Sequence, residues 1–402
     1  MQSRLVSDSF LNVGHALDHL FMLIYPTVVL AIGADIAGSY GEALTLSLGG
    51  FIAFGACSLP AGWLGDRWSR HGMIIIFFVG IGAASMITGL AQSPLQIAAG
   101  LTLIGVFAAI YHPIAIAMLV GGRDNVGRTL GINGVAGNLG VAFAALIAAA
   151  LADLIHWRAA FIVPGAVSVL VGIAYAVWAP RLDVVGAARP ATGNAAAVSP
   201  ARLPAAVLWR VFGVLLVATT FGGVIFNGAT VAMPKLFDER LSLLTDTTFG
   251  IGVLVCFVYV LAAIAQLIVG YLIDRGDLRT VFVAIAAGQA PLLLLAAWAD
   301  GYAMLAVAVA MMFVVFGQIP INDALVAGYV TDGWRSRAYA VRYVVSFGAS
   351  AVAVSLVAVV HSATGGFEPL FLVFAAMAAG TLAAALSLPA RKPAAMVASV
   401  GE

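Results

Sequence analysis

The chain has 402 residues, 63% of them hydrophobic and only 9% charged, with a mean hydropathy of +1.08 and a formal net charge of +1. A water-soluble domain carries about 25% charged residues, so this composition excludes a water-facing surface and makes the chain a membrane protein. A net charge this close to zero gives no basis for binding nucleic acid.

A membrane-spanning helix needs roughly 20 apolar residues. Twelve such segments are read along the chain, at about 10–34, 43–65, 72–91, 94–120, 129–152, 158–179, 208–233, 248–273, 279–298, 302–330, 337–361 and 367–389. This predicts an all-α membrane protein. Segment one carries Asn12, His15, Asp18 and His19 at helical spacing, so they share one face. They also interrupt the apolar run, and no small-residue cleavage site follows, so the N-terminus does not read as a cleavable signal. Between segments two and three lies a charged stretch, Gly62-Trp63-Leu64-Gly65-Asp66-Arg67-Trp68-Ser69-Arg70-His71-Gly72. Segment four holds Tyr111-His112-Pro113. Segment five repeats Gly131, Gly134, Gly137 and Gly140 at every third position, a stripe that lets a neighbouring helix approach closely, as plain packing or as a sliding surface.

The run from Pro180 to Pro204 is polar and rich in Ala and Pro, and reads as a linker. The expected organisation is a six-helix half at 1–179, a linker at 180–205 and a second six-helix half at 206–402. Asn227 stands late in segment seven. Gly270-Tyr271-Leu272-Ile273-Asp274-Arg275 closes segment eight. Asn322 and Asp323 follow Pro320 in segment ten, and Arg342 lies roughly 8 Å inside segment eleven. Gln266, Gln289 and Gln318 read as helix-packing amides, and the tryptophans, Trp157 among them, as an interfacial belt. Cys57 and Cys256 fall inside apolar runs and read as small buried hydrophobes.

Two regularities tie these segments together. With twelve spans, sixteen of the nineteen lysines and arginines share one side, against Arg158, Lys235 and Arg240 on the other. This puts both termini, the linker and the Asp66–Arg70 stretch in the cytoplasm. The halves also repeat. Gly62-x-x-x-Asp66-Arg67 returns 208 positions later as Gly270-x-x-x-Asp274-Arg275, Pro26 maps to Pro234, His19 to Asn227, Pro113 to Pro320 and Asn133 to Arg342. Paired prolines in corresponding helices mark the moving, cavity-lining elements of a transporter.

With these motifs the chain resembles the major facilitator superfamily. Gly62–Arg70 is similar to that family's signature between helices two and three, with Ser69 for the second glycine and His71 for the last basic residue. Gly14-His15-x-x-Asp18 with Ile24-Tyr25-Pro26 resembles the fosmidomycin-resistance type of efflux protein. So does Tyr111-His112-Pro113 with Gly121-Gly122-Arg123 and Gly137-Asn138-x-Gly140. Ile114 stands where that type can carry an acidic residue, and segment four lacks the mid-helix arginine of many drug/proton antiporters. The resemblance implies two pseudo-symmetric bundles rocking about a central site, driven by an ion gradient. Independently, the chain has no Gly-x-x-x-x-Gly-Lys-Ser/Thr loop to cradle ATP.

Ionisable groups inside a bilayer cost several kcal/mol and mark function by default. Asp18, His112 and Asp323 each lie about eight residues from the cytoplasmic ends of their segments, roughly 12 Å deep. Asp18, with His15 or His19 and with His112, is the expected carrier of a coupling proton, because burial disfavours a charged carboxylate and histidine titrates near neutral pH. The alternative is a satisfied polar cluster that packs segment one. A zinc site is conceivable from His, Asp and His on one face, but no further ligand pattern points to it, so no metal or other cofactor is expected. Asn227, Asn322, Asp323 and Arg342 are candidate solute contacts, with Arg342 snorkelling to the surface as its alternative role. Gly62, Asp66, Arg67, Arg70, Asp124, Gly270, Asp274 and Arg275 are expected to form a cytoplasmic gate. In it Asp66 would sit at the N-terminal end of helix eleven, and Arg67 and Arg70 would pair with acids such as Asp124. The expected protein is a monomeric inner-membrane secondary transporter, not an enzyme, which exchanges protons for an exported small organic solute. Uptake of a small organic anion through Arg342 is the second reading, and a membrane sensor or intramembrane enzyme the third.

Overall fold

The structure is a computed structural model. It describes residues 2–32, 38–121, 126–186, 205–329 and 332–388, with side chains for all of these except 2–4, 126–127, 180–186, 205–208, 327–329, 332–344 and 347. The described regular structure is entirely helical, and no strand occurs among the described residues. The first long helix, α1, runs Gln2–Ile32 straight through Pro26.

Where one helix is expected over 43–65, three pieces form: α2 Tyr40–Thr45, α3 Leu48–Ala56 and α4 Ser58–Arg67. The Ser47 hydroxyl donates to the Leu44 carbonyl (2.7 Å) and the Ser58 hydroxyl to the Gly55 carbonyl (2.7 Å). Such local bonds compete with the helix ladder, and Pro60 offers no N–H to the Ala56 carbonyl. The result is a bend of 41° between the stretch 40–56 and α4. Next come α5 Arg70–Gly89, α6 Pro94–Ala108 and α7 Tyr111–Val120. The break between α6 and α7 has the same cause, since Pro113 cannot donate to the Ala109 carbonyl. The remaining helices are α8 Val126–Leu154, α9 Ala159–Gly186, α10 Ala205–Arg240, α11 Thr248–Arg275, α12 Leu278–Trp298, α13 Gly301–Tyr329, α14 Asp332–Thr364 and α15 Glu368–Leu386.

Among the described residues ten helices are long and apolar enough to cross a membrane, and the bent pair makes eleven. The described apolar part of α14, Gly348–Thr364, is shorter than a crossing requires.

The chain packs as two compact units, Met1–Thr192 with Val231–Val260, and Gly193–Thr230 with Leu261–Glu402. In the first, α1 lies along α8 and α5 along α9, around a core that includes Phe21, Ile24, Phe77, Phe78, Tyr111 and Phe161. At the C-terminal end of α8 the Asp153 carboxylate accepts from the backbone N–H of Phe249 in the first turn of α11 (2.7 Å). Gly252 of α11 lies against Ala149 of α8. Trp157 departs from the belt expected for it. It is buried, with the Arg158 guanidinium 4.3 Å above its ring and donating to the Ala91 carbonyl. The cation is thus satisfied by protein, and it covers the indole.

The second unit buries Val214 and Ala218 of α10, Phe282 and Ala286 of α12, Ile321 and Leu325 of α13 and Ala385 of α15. Through it runs an amide bridge. Gln318 Nε2 donates to the Ala218 carbonyl (3.1 Å), and Gln289 Nε2 donates to Gln318 Oε1 (2.6 Å).

Candidate functional site

The polar face of α1 meets α7 and α8 within the first unit. Helical spacing stacks His15 and His19 one turn apart, with Nε2 atoms 3.2 Å from each other, and turns Asp18 inward beside them. The break ahead of Pro113 starts a new helix at Tyr111 and brings Tyr111 and His112 to the same place. His112 Nε2 lies 3.3 Å from Asp18 Oδ2. The His112 ring also stands edge-on to His15 (5.1 Å) and His19 (5.6 Å), while Tyr111 stacks on His15 (5.1 Å).

Asp18 is completely buried. The approach of His112 is within ion-pair range but off the line of a hydrogen bond, so neither carboxylate oxygen accepts one. A carboxylate in this position has traded water for one imidazole. Burying an unpaired charge is costly, so a proton on the pair and charge on the pair are tightly linked. The arrangement sets a carboxylate and an imidazole, two groups that can each carry a proton, side by side inside the bundle.

In the sequence Asn133 stands out only as the counterpart of Arg342. The structure makes it the hub of the site. Its backbone carbonyl receives His15 Nδ1 (2.7 Å), and its amide donates to Tyr111 Oη (2.9 Å) and Asn12 Oδ1 (3.0 Å). Tyr111 Oη donates in turn to the Leu11 carbonyl (2.7 Å). A polar residue amid the glycine stripe was the available signal. That stripe divides in two. Gly137 abuts the His15 ring and Gly140 the backbone of Ala16, whereas Gly131 and Gly134 face open space.

As for a metal, ligand-capable atoms of His15, His19 and His112 lie within 4.8 Å of one another. A tetrahedral zinc with Zn–N bonds of about 2.1 Å holds its nitrogens roughly 3.4 Å apart, so the set is looser than a closed zinc site. Its closest pair of nitrogens already shares a hydrogen.

In the second unit, Asn227 Nδ2 donates to the Gly223 carbonyl of its own helix (2.8 Å), Asn322 is buried with Oδ1 accepting no hydrogen bond, and Asp323 is half-buried. The Arg342 side chain and all of Asp124 lie outside the described residues. In the charged stretch, Asp66 and Arg67 belong to the last turn of α4 and Arg70 to the first of α5. Arg70 pairs with Asp66 (2.7 Å), Arg67 lies 5.1 Å above the Trp63 ring, and a Cβ on Gly62 would stand 3.3 Å from Pro113. At the repeat, Asp274 is exposed, Gly270 has open space around it, and Arg275 lies 4.3 Å above the Tyr271 ring. An arginine folded back over an aromatic residue one turn earlier thus recurs in both copies.

Comparison with known proteins agrees with this architecture. A bacterial homologue of the human lysosomal transporter Spinster, solved in an inward-facing and occupied conformation, superposes with a TM-score of 0.69 at 14% identity, over 96% of this chain and 95% of that one. Its inward-facing and unoccupied form gives 0.64 at 15% identity, over 95% of each chain. Among curated proteins, a probable actinorhodin transporter of Streptomyces coelicolor is 28% identical over 184 residues, 42% of this chain and 32% of the relative. The puromycin resistance protein pur8 of Streptomyces alboniger is 30% identical over 110 residues, 27% of this chain and 22% of the relative. The matches thus span a third or less of those relatives' own length. The Major Facilitator Superfamily profile matches residues 13–260, more than half of the chain. Helical bundle, buried polar face and profile together identify this chain as a member of the Major Facilitator Superfamily, a multi-pass membrane transporter rather than an enzyme.

Proposed function

We propose that this chain exports a small organic solute across the cytoplasmic (inner) membrane by alternating access, admitting protons in exchange through the Asp18–His112 pair. The observation that carries the reading is the fully buried Asp18 carboxylate, which has no hydrogen-bond donor and faces one imidazole at 3.3 Å. A group so placed is far easier to bury protonated than charged, so its occupancy tracks which side of the membrane it last met. The names of the two Streptomyces relatives support export and a solute of antibiotic-like size. The fosmidomycin-resistance-type motifs at Gly14–Asp18 and Tyr111–Pro113 support the same direction.

In this reading the protein works as a monomer of twelve spans, α14 supplying the twelfth. The two six-helix halves are joined by the linker at 180–205, and both termini are cytoplasmic. Asn227, Asn322, Asp323 and Arg342 contribute the second half's share of the solute cavity. The Asp66–Arg70 stretch, its twin at Asp274-Arg275 and Asp124 form the cytoplasmic gate. The recurrent arginine-over-aromatic contacts support the kinship of the two gate copies.

The test uses full-length protein in liposomes containing a pH-sensitive dye, with puromycin as probe and no ATP. Puromycin added against a pH gradient should drive proton flux, and Asp18→Asn should abolish it. Proton movement that is unchanged by Asp18→Asn would sink the assignment.

A further inference from the structure

Two imidazoles on α1 face each other across a single hydrogen, and α8 sets which ring donates it. His15 Nδ1 lies 2.7 Å from the Asn133 carbonyl oxygen. A carbonyl oxygen only accepts, so Nδ1 carries the hydrogen, and Nε2 of a neutral His15 is an acceptor. That Nε2 meets Nε2 of His19 at 3.2 Å. His19 therefore donates from Nε2, and its Nδ1 is left with a lone pair. One backbone carbonyl fixes both tautomers.

The carbonyl is itself held in place. Asn133 is buried, and both hydrogens of its amide are engaged, by Tyr111 Oη and Asn12 Oδ1. One turn further on, Gly137 makes room for the ring. A Cβ there would stand 2.6 Å from both Cε1 and Nε2 of His15, and Nε2 is the atom that faces His19.

We propose that Asn133 and Gly137 are positioning residues that make His15 and His19 a one-proton pair, loaded through His19 Nδ1 and separate from the Asp18–His112 pair. The role in transport rests on the proton-coupled reading above. A proton arriving on His19 Nδ1 forms an N–H bond there. The Nε2–H bond of His19 breaks as its hydrogen passes to His15 Nε2. His15 becomes an imidazolium with both N–H bonds, and His19 is left neutral with its hydrogen on Nδ1. A second proton would set two cations with opposed N–H groups 3.2 Å apart, which like charges sharing one site do not tolerate. The titratable groups facing the pair are Tyr111 and His112 from α7 and, beyond His112, Asp18 of α1 itself. From α8 come the Asn133 carbonyl and the backbone of Gly137, and from α3 the Phe54 ring beside His112.

Solid-state nitrogen NMR on full-length, histidine-labelled protein in lipid tests this directly. The six histidines are assigned by the signals that His15→Gln and His19→Gln remove. The expected result is Nδ1–H on His15 and Nε2–H on His19 at high pH, with no more than one proton taken up by the two rings together as the pH falls. Gly137→Ala, which displaces the His15 ring, should let each ring take its own proton. Asn133→Asp, which keeps the size but cannot donate to Tyr111 and Asn12, should loosen the tautomer in the same direction. The wild-type spectrum decides even where a variant fails to fold. Nε2–H on His15, or two protons bound by the pair, overturns the proposal, as does a Gly137→Ala spectrum identical to the parent's. None of these readings depends on transport, so the fate of the coupling assignment is read separately, from Asp18→Asn.

Discussion

Replacing Asp18 with asparagine should stabilise the protein while abolishing its coupling. Both oxygens of Asp18 are buried without a hydrogen bond, and His112 Nε2 lies 3.3 Å from one of them. Leaving a buried acceptor unmet costs about 1–3 kcal/mol, and more when it is charged. Asparagine keeps the shape and cannot carry the charge, so relief of about 1–3 kcal/mol is expected wherever the parent's Asp18 is ionised. The assay is a thermal melt in detergent at pH near 8, run beside the liposome flux measurement. The midpoint should rise while proton flux falls to the level of protein-free vesicles. If Asp18 were instead one half of a structural ion pair, removing it would cost about 3–5 kcal/mol. A lower midpoint, with proton flux per folded molecule unchanged, would refute the reasoning.

The glycines of α8 should separate by position. Gly140→Ala, whose Cβ would overlap the Ala16 backbone, should cost about 1–3 kcal/mol by overpacking. Gly131→Ala, which meets nothing within 4 Å, should be neutral or gain up to about 1 kcal/mol in helix propensity. Equal melting midpoints for the two would show that α8 does not pack as described. Gln289→Leu leaves Gln318 Oε1 without its donor and should cost about 1–3 kcal/mol, whereas the Gln289→Leu, Gln318→Leu double variant should recover much of that loss. Strictly additive losses in the double-mutant cycle would contradict the bridge. Asp66→Ala removes an exposed ion pair with Arg70 and should change stability by less than about 1 kcal/mol. Solute flux should slow with binding affinity nearly unchanged, and a large loss of binding would make the stretch a solute site instead of a gate.

The outline of the fold was legible because hydrophobic length and turn-breaking residues are written locally. The apolar runs marked out most of the helices, but the segment read as one at 94–120 is two, divided about one turn ahead of Pro113. Helical spacing alone put His15, Asp18 and His19 on one face. The break of segment two was harder to foresee, because it depends on where two serine hydroxyls turn. The hub at Asn133 was harder still. What His15 needs from it is a backbone carbonyl, which every residue possesses and no sequence letter reports. Arg158 shows the same limit. In the sequence it is only one of three basic residues on the outer side, yet it bends over Trp157, a contact between neighbours that hydropathy does not encode.

The bond between Asp153 and the first turn of α11 joins residues far apart in the chain, yet both partners stand at the surface. A carboxylate capping a helix start is worth about 1 kcal/mol, and in water the freed carboxylate and N–H would be rehydrated at once. Breaking it shifts the balance between joined and parted helices only about fivefold. Under the proposed alternating-access function, a transporter that parts and rejoins its helices at every turnover is better served by such a fastening than by a buried ion pair. The bond gives the joined state a preferred register, and thermal motion is enough to release it.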